Sequence, residues 1–326
     1  MSENASAQSS NGLNYIIDPD LKSAVEVALD LGMPLLVTGE PGTGKTKLAR
    51  YVAEEMLGTD LLEFNTKTTS KAKDLLYRYD ALSHFRDTQI EKVKRNPMEY
   101  VEFAAMGKGI IESPSKRYVV LVDEIDKAPR DFPNDVLFEF DEMAFKVDEA
   151  SMENLKDWHS KHAEYKELEI DKQGFFRTST EIAKRPVLIL TSNSEKNLPD
   201  AFLRRCVYYH ISFPQPEKLK EIVQANVDTS ESFTAHMLGA AVKHFYQIRS
   251  HKLKKLPATA ELLSWIKVLK KANIDITKAM DGEDDIFTHL KRANVILFKN
   301  KEDLEWADKN LQKLITDTIS SLEAES

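Results

Sequence analysis

Apolar residues in this chain gather in short unbroken runs, and the stretches between them carry a helical period. The runs are Leu35–Val37, Leu61–Phe64, Tyr118–Val122, Val187–Thr191 and Val207–Ile211. Short runs with little alternation suit strands covered on both faces, as in a parallel sheet. Ser70–Leu82 and Asn134–Met143 show the spacing of amphipathic helices. The alternation predicts an α/β fold, with a parallel sheet sandwiched between helices in three layers. Ligands of such sheets bind at the carboxyl ends of the strands.

The pattern changes at Phe213-Pro214-Gln215-Pro216. After these prolines the strand signal stops and helical periods take over, at Glu217–Val227, Ser232–Arg249, Thr259–Ala272, Asp285–Phe298 and Glu302–Leu322. The expected organisation is a polar, disordered tail over residues 1–12, an α/β domain over 13–213 and a small all-helical domain over 214–326. No internal repeat is evident. Residues Glu149–Gln173 are charged and lie between recognisable elements. They read as a solvated helical hairpin, with a partner-binding or pore element as the other reading.

Composition narrows the class. The chain has 326 residues, 42% hydrophobic and 30% charged, enough for one large or two ordinary domains. A net charge of −8 argues against general affinity for nucleic acid. The basic runs Lys92-Val93-Lys94-Arg95 and His251-Lys252-Leu253-Lys254-Lys255 read as solvated helix faces. The one cysteine, Cys206, excludes an intrachain disulfide and fits a reducing cytoplasm. There is no signal-peptide pattern and no apolar run near the ~20 residues that span a bilayer.

The chemistry begins at the end of the first apolar run. Gly39-Glu40-Pro41-Gly42-Thr43-Gly44-Lys45-Thr46 has the form G-x-x-x-x-G-K-[ST]. Its glycines let backbone N–H groups turn inward around a phosphate. Lys45 brings a point charge to the β- and γ-phosphates, and the Thr46 hydroxyl can ligate Mg²⁺. An apolar run precedes the loop. A helix-patterned segment follows it, with Leu48, Val52 and Met56 on one face and Gly58 as its stop. That helix aims its positive end at the same anion.

The run Tyr118–Val122 ends in Asp123-Glu124. With the phosphate loop expected on a neighbouring strand, Asp123 is placed to hold Mg²⁺ and Glu124 to polarise an attacking water. The run Val187–Thr191 leads into Ser192-Asn193. Asn193, with Thr191 second, is the candidate to hydrogen-bond that water or the γ-phosphate. Arg204 and Arg205 follow on a short helix. An arginine there can stabilise transition-state charge, from its own or a neighbouring subunit. A surface salt bridge is the plain alternative.

In this order the segments resemble the AAA+ ATPases, and within them the MoxR branch. The likeness is carried by Leu36–Thr46, by Val122-Asp123-Glu124-Ile125-Asp126-Lys127-Ala128-Pro129 and by Leu198-Pro199-Asp200-Ala201-Phe202-Leu203-Arg204-Arg205. It extends over about residues 15–275. The resemblance implies homo-hexameric rings with ATP and Mg²⁺ at subunit junctions. Asn193 becomes the first sensor, and Arg205 or Arg204 the arginine finger. Partners are protein clients, including proteins with a von Willebrand factor A domain, which are remodelled in a chaperone-like way. One departure stands out. Related lids often carry a second sensor arginine where this chain reads Lys254-Lys255-Leu256-Pro257-Ala258-Thr259; either Lys254 or Lys255 substitutes for it or the lid senses nucleotide weakly, and the second sensor stays unassigned.

Two rival functions remain on sequence grounds. One is a nucleotide-dependent switch or loader acting on nucleic acid, which the acidic charge disfavours. The other is a P-loop kinase, which Glu124 and the arginine pair disfavour. His159 and His162, with Glu164 and Glu167 nearby, lack the further ligands of a zinc site. Cys206 reads as a small buried residue, Tyr208-Tyr209-His210 as strand, and Trp265 with Leu262 and Leu269 as core.

Overall fold

The structure, a computed structural model, describes residues 15–227, 234–279 and 285–324. The tail over residues 1–12 lies outside them. The chain divides into two compact units, one of Ile17–Gly39 and Gly44–Ile211, the other chiefly of Ser212–Ser326.

The first unit runs α1 (Pro19–Leu31), β1 (Leu35–Gly39), α2 (Lys45–Tyr51), β2 (Leu61–Asn65), α3 (Ala72–Leu76), β3 (Tyr77–Tyr79), α4 (Ala81–Phe85), β4 (Val101–Phe103), α5 (Ala105–Glu112) and β5 (Val119–Asp123). It continues through α6 (Phe132–Asp135), α7 (Leu137–Glu142), β6 (Ala144–Lys146), α8 (Met152–Lys161), β7 (Glu169–Ile170), β8 (Phe175–Arg177), β9 (Val187–Ser192), α9 (Asp200–Leu203) and β10 (Val207–Ile211). Local chemistry sets the first boundaries. Asp18 caps α1 by accepting from the Asp20 N–H at 3.0 Å, and Gly32 closes the helix at φ 64°.

A five-stranded parallel sheet forms the core, in the order β10-β1-β9-β5-β2. Every residue of β1 and β9 is buried, whereas β10 and β2 alternate between half-buried and exposed positions. The apolar runs Leu35-Leu36-Val37 and Val187-Leu188-Ile189-Leu190 therefore take the interior positions, where helices cover both faces. One expectation is corrected here. The acids of β5 do not lie on a strand adjacent to the phosphate loop, because β9 separates β1 from β5. All-buried β9 pairs on both sides, with Val37 opposite Thr191 and Val122 opposite Leu190.

Two other expectations change. Ser70–Leu82 is not one helix: Tyr77-Arg78-Tyr79 leaves α3 as a strand paired antiparallel with Val101–Phe103. Tyr77 is buried and Arg78 exposed, the alternation a strand requires. Residues 149–173 are not a solvated hairpin. β7 pairs with β8, and β8 with β6, in a small antiparallel sheet. Trp158 of α8 is 5% exposed and meets Phe103 and Phe176 edge-on, with centroids 5.9 Å away in both pairs.

The second unit contains α10 (Pro216–Asn226), α11 (Ala235–Ser250), α12 (Thr259–Lys271), α13 (Asp285–Asn294) and α14 (Lys301–Glu323). Its core gathers Leu219, Phe245, Leu262, Trp265, Leu269 and Leu311. The buried Trp265 indole donates to Asn294 Oδ1 at 3.1 Å, so its polar edge is satisfied.

Candidate active site

The phosphate loop leaves β1 at the carboxyl end of the sheet. Gly42 and Gly44 adopt φ of 78° and 90°, a region that strains any residue with a Cβ. Gly44 also precedes α2 as its N-cap residue and makes no side-chain cap hydrogen bond. The Thr43 hydroxyl donates to the Glu40 carbonyl at 2.8 Å. Lys45 is 6% exposed, and its ammonium donates to the Gly39 carbonyl at 2.8 Å, which holds the charge within the loop. The arrangement fits a polyphosphate: left-handed glycines in the loop, one buried cation and the start of a helix.

Thr46 follows directly, and its Oγ1 lies 3.3 and 3.2 Å from the two carboxylate oxygens of Asp123. A hydroxyl and a carboxylate converging beside a phosphate loop are the hard oxygen donors that Mg²⁺ takes. The two residues come from different elements, α2 and the tip of β5.

Thr191 ties the acids to β9. Its hydroxyl donates to Asp123 Oδ1 and accepts from the Glu124 N–H at 2.8 Å. The second bond matters because Glu124 has φ 54°, an unfavourable conformation for a residue with a side chain. The turn sends Glu124 off the strand direction just past Asp123. There Glu124 Oε1 accepts from the Asn193 amide at 3.0 Å, and Oε2 pairs with the Lys127 ammonium. That hydrogen bond to Glu124 raises the Lys127 pKa above the ordinary lysine range. Asn193 and Thr191, ranked first and second for one role, therefore do different things. Thr191 braces the backbone and Asp123, while Asn193 orients the Glu124 carboxylate.

The arginine pair divides as well. Arg205 Nε meets Asp141 Oδ2 of α7 at 2.6 Å, and its Nη1 donates to the Ala201 carbonyl at 2.9 Å. Arg204 is exposed and makes no ion pair among the described residues. Lys127 and Asp141 were not singled out by sequence. Lys127 stands three residues beyond Glu124, a spacing that could have flagged it, but nothing local marks Asp141 as a partner of Arg205.

Several other candidates have settled partners. The backbone N–H groups of Lys254 and Lys255 donate to the Asp303 carboxylate at 2.9 and 3.0 Å, and the Lys254 ammonium pairs with Glu302. Arg249, on the preceding helix α11, lies over the Phe213 ring at 3.4 Å and donates to the Pro257 carbonyl. His159 Nε2 lies 2.7 Å from the Tyr165 carbonyl, and His162 Nδ1 lies 2.8 Å from that of Trp158. No cluster of potential metal ligands occurs among the described residues. Burial pushes the Cys206 thiol up to about 12, so it is held as the protonated thiol at neutral pH. No helix among the described residues is long and apolar enough to cross a membrane.

A parallel sheet with a phosphate loop at the tip of β1, paired acids at the tip of β5 and polar side chains at the tip of β9 between them defines a P-loop nucleotide-binding protein. The chain belongs to the AAA family, the ATPase family associated with various cellular activities, whose profile matches residues 35–215. No curated protein matches its sequence. Among solved structures it is similar to the RuvB Holliday junction branch migration motor of Thermotoga maritima, at 15% identity over 93% of this chain and 80% of that one, with a TM-score of 0.43. It is also similar to the FIGL-1 AAA domain in complex with ADP, at 15% identity over 91% of this chain and 88% of that one, with a TM-score of 0.44.

Proposed function

We propose that this protein hydrolyses ATP as an AAA+ motor of MoxR type, and that its catalytic sites are completed between subunits. The observation that carries the hydrolytic reading is Glu124, held by Asn193 beside the Thr46–Asp123 pair. Lys45 and the loop N–H groups hold the β- and γ-phosphates, and Thr46 and Asp123 hold Mg²⁺. Bound there, Mg²⁺ supplies positive charge to the phosphate oxygens. Glu124 accepts a proton from the attacking water. The water oxygen bonds to the γ-phosphorus, the bond to the bridging oxygen breaks, and ADP departs with its new charge. Both Glu124 oxygens are engaged in this geometry. The Lys127 partner is exposed, so that bond exchanges readily for water.

Arg205 is the finger in this reading, with Arg204 as the alternative, reaching a neighbour's γ-phosphate in a homo-hexamer. The Leu198–Arg205 segment supports the MoxR assignment. With it come cytoplasmic protein clients, remodelled or activated in a chaperone-like way, among them proteins with a von Willebrand factor A domain. Subunit mixing tests the shared site. Lys45→Ala cannot bind nucleotide but still offers Arg205; Arg205→Ala binds nucleotide but offers no finger. Each alone is expected to be inactive, and phosphate release is expected to return when they are mixed. Mixed assemblies that stay inactive contradict a site completed by Arg205 from a neighbour.

A further inference from the structure

Asn193 meets Glu124 from a turn that buries little of itself. Ser194, Glu195, Lys196 and Asn197, which follow it, are all exposed. Ser194 also adopts φ 60°, an unfavourable region for a residue with a Cβ. A turn with no buried side chain takes its position from hydrogen bonds.

Two ties cross from this turn to the one that follows β5. The Glu195 N–H donates to Asp126 Oδ2 at 2.9 Å. The Lys196 ammonium donates to the carbonyls of Lys127 and Ala128 at 3.2 and 3.1 Å. The ties differ in their access to water. Lys196 is exposed, so water competes for its bonds. Asp126 is 3% exposed and sits in the short turn Ile125–Lys127, beside the fully buried Ile125. The Ala128 N–H closes that turn on the Ile125 carbonyl at 3.2 Å.

The spacing gives the Asp126 bond a use. Asp126 lies two residues beyond Glu124, and Glu195 lies two residues beyond Asn193. The Asn193–Glu124 and Glu195–Asp126 bonds therefore link the same two turns at two points. One hydrogen bond leaves two turns free to pivot, and a second at another point fixes their orientation. Stability alone does not account for the carboxylate. Its Oδ1 is buried with no hydrogen-bond partner among the described residues, which is destabilising.

We propose that Asp126 is a positioning residue for ATP hydrolysis, acting through Asn193. It holds the turn that presents the Asn193 amide to Glu124, and it touches neither nucleotide nor water itself. The inference rests on the hydrolytic reading of Glu124 and adds a residue to that site.

The test is steady-state phosphate release by the full chain, with kcat and KM for ATP read separately and the unfolding midpoint measured beside them. Asp126→Ala is expected to lower kcat roughly tenfold or more and to leave KM within about twofold. Asp126→Asn keeps an acceptor for the Glu195 N–H and is expected to recover most of kcat. Glu195 is exposed, so Glu195→Pro deletes the same bond from its donor side. It is expected to copy the loss, and it carries the test if Asp126→Ala does not fold. The decisive arm is the double variant. With Asn193→Ala already present, Asp126→Ala is expected to lower kcat by less than about twofold, which a purely structural role does not predict. Native-like kcat in folded Asp126→Ala or Glu195→Pro, a loss confined to KM, no recovery in Asp126→Asn, or an undiminished loss in the Asn193→Ala background would overturn the proposal. Absence of phosphate release from the native chain is a separate result, and contradicts the ATPase reading itself.

Discussion

At the scale of single residues, the site depends on one hydroxyl more than its position in the chain suggests. Thr191 is fully buried and bonds both Asp123 and the Glu124 N–H. Replacing it with valine keeps the shape, removes both bonds and leaves the Glu124 N–H without this acceptor. The expected cost is ~1–3 kcal/mol of stability for the lost bonds. A large loss of kcat is expected with it, because the left-handed turn at Glu124 loses its brace. Thr191→Ser restores the hydroxyl and is expected to recover most of the activity. Chemical denaturation and steady-state phosphate release, read together on both variants, check this. A valine variant with normal turnover contradicts the bracing role.

The candidate residues were legible in the sequence because their spacing is chemical. A phosphate loop needs glycines and a lysine at fixed offsets, and acids at the end of an apolar run are costly without a task. Partnerships between distant residues were not legible. Asp141 stands 64 positions from Arg205, and only the packing of α7 against α9 brings them together. Phe140 on Phe202, at 6.0 Å between centroids, is part of that packing.

At the scale of elements, the sheet was readable where strands are long and apolar, and unreadable where they are short. β1, β5 and β9 are almost wholly buried, which produces runs without alternation. β3, β4, β6, β7 and β8 have two or three residues each, too few for a period to emerge. Strand order was equally hidden. β9 comes late in the chain yet enters between β1 and β5, and no local pattern encodes that choice.

The α7–α9 contact yields its own prediction. The Arg205–Asp141 pair is well exposed at both ends, so its contribution to stability is small, about 0–1 kcal/mol. In the proposed intersubunit site, the pair would hold Arg205 back on its own subunit. Asp141→Ala is expected to leave the unfolding midpoint nearly unchanged and the KM for ATP unaltered, while raising kcat. A fall in kcat instead contradicts that restraining role.

At the scale of the whole molecule, the second unit carries a buried titratable group that makes stability depend on pH. His244 is fully buried. Its Nδ1 lies 3.1 Å from Thr318 Oγ1, its Nε2 has no partner among the described residues, and its ring stacks near Trp265. Burial lowers its pKa from 6.5 to about 4. In the unfolded chain this histidine takes up a proton below its ordinary value, whereas in the folded chain it stays neutral until about pH 4. Stability is therefore lost as pH falls from 6.5 towards 4, by roughly 3 kcal/mol for the full shift. Unfolding free energies across that window are expected to fall more steeply for the native chain than for His244→Gln, whatever the variant's own stability. Parallel slopes contradict the assignment.

The central claim is that Glu124 serves the chemical step, beyond the binding of ATP. Glu124→Gln keeps the size and the hydrogen bond with Asn193 available but removes the base. ATP affinity, measured by titration with a fluorescent analogue, and phosphate release, measured on the same preparation, separate the two roles. The account predicts near-native affinity with turnover reduced by a factor of a hundred or more. Near-native turnover in this variant contradicts it.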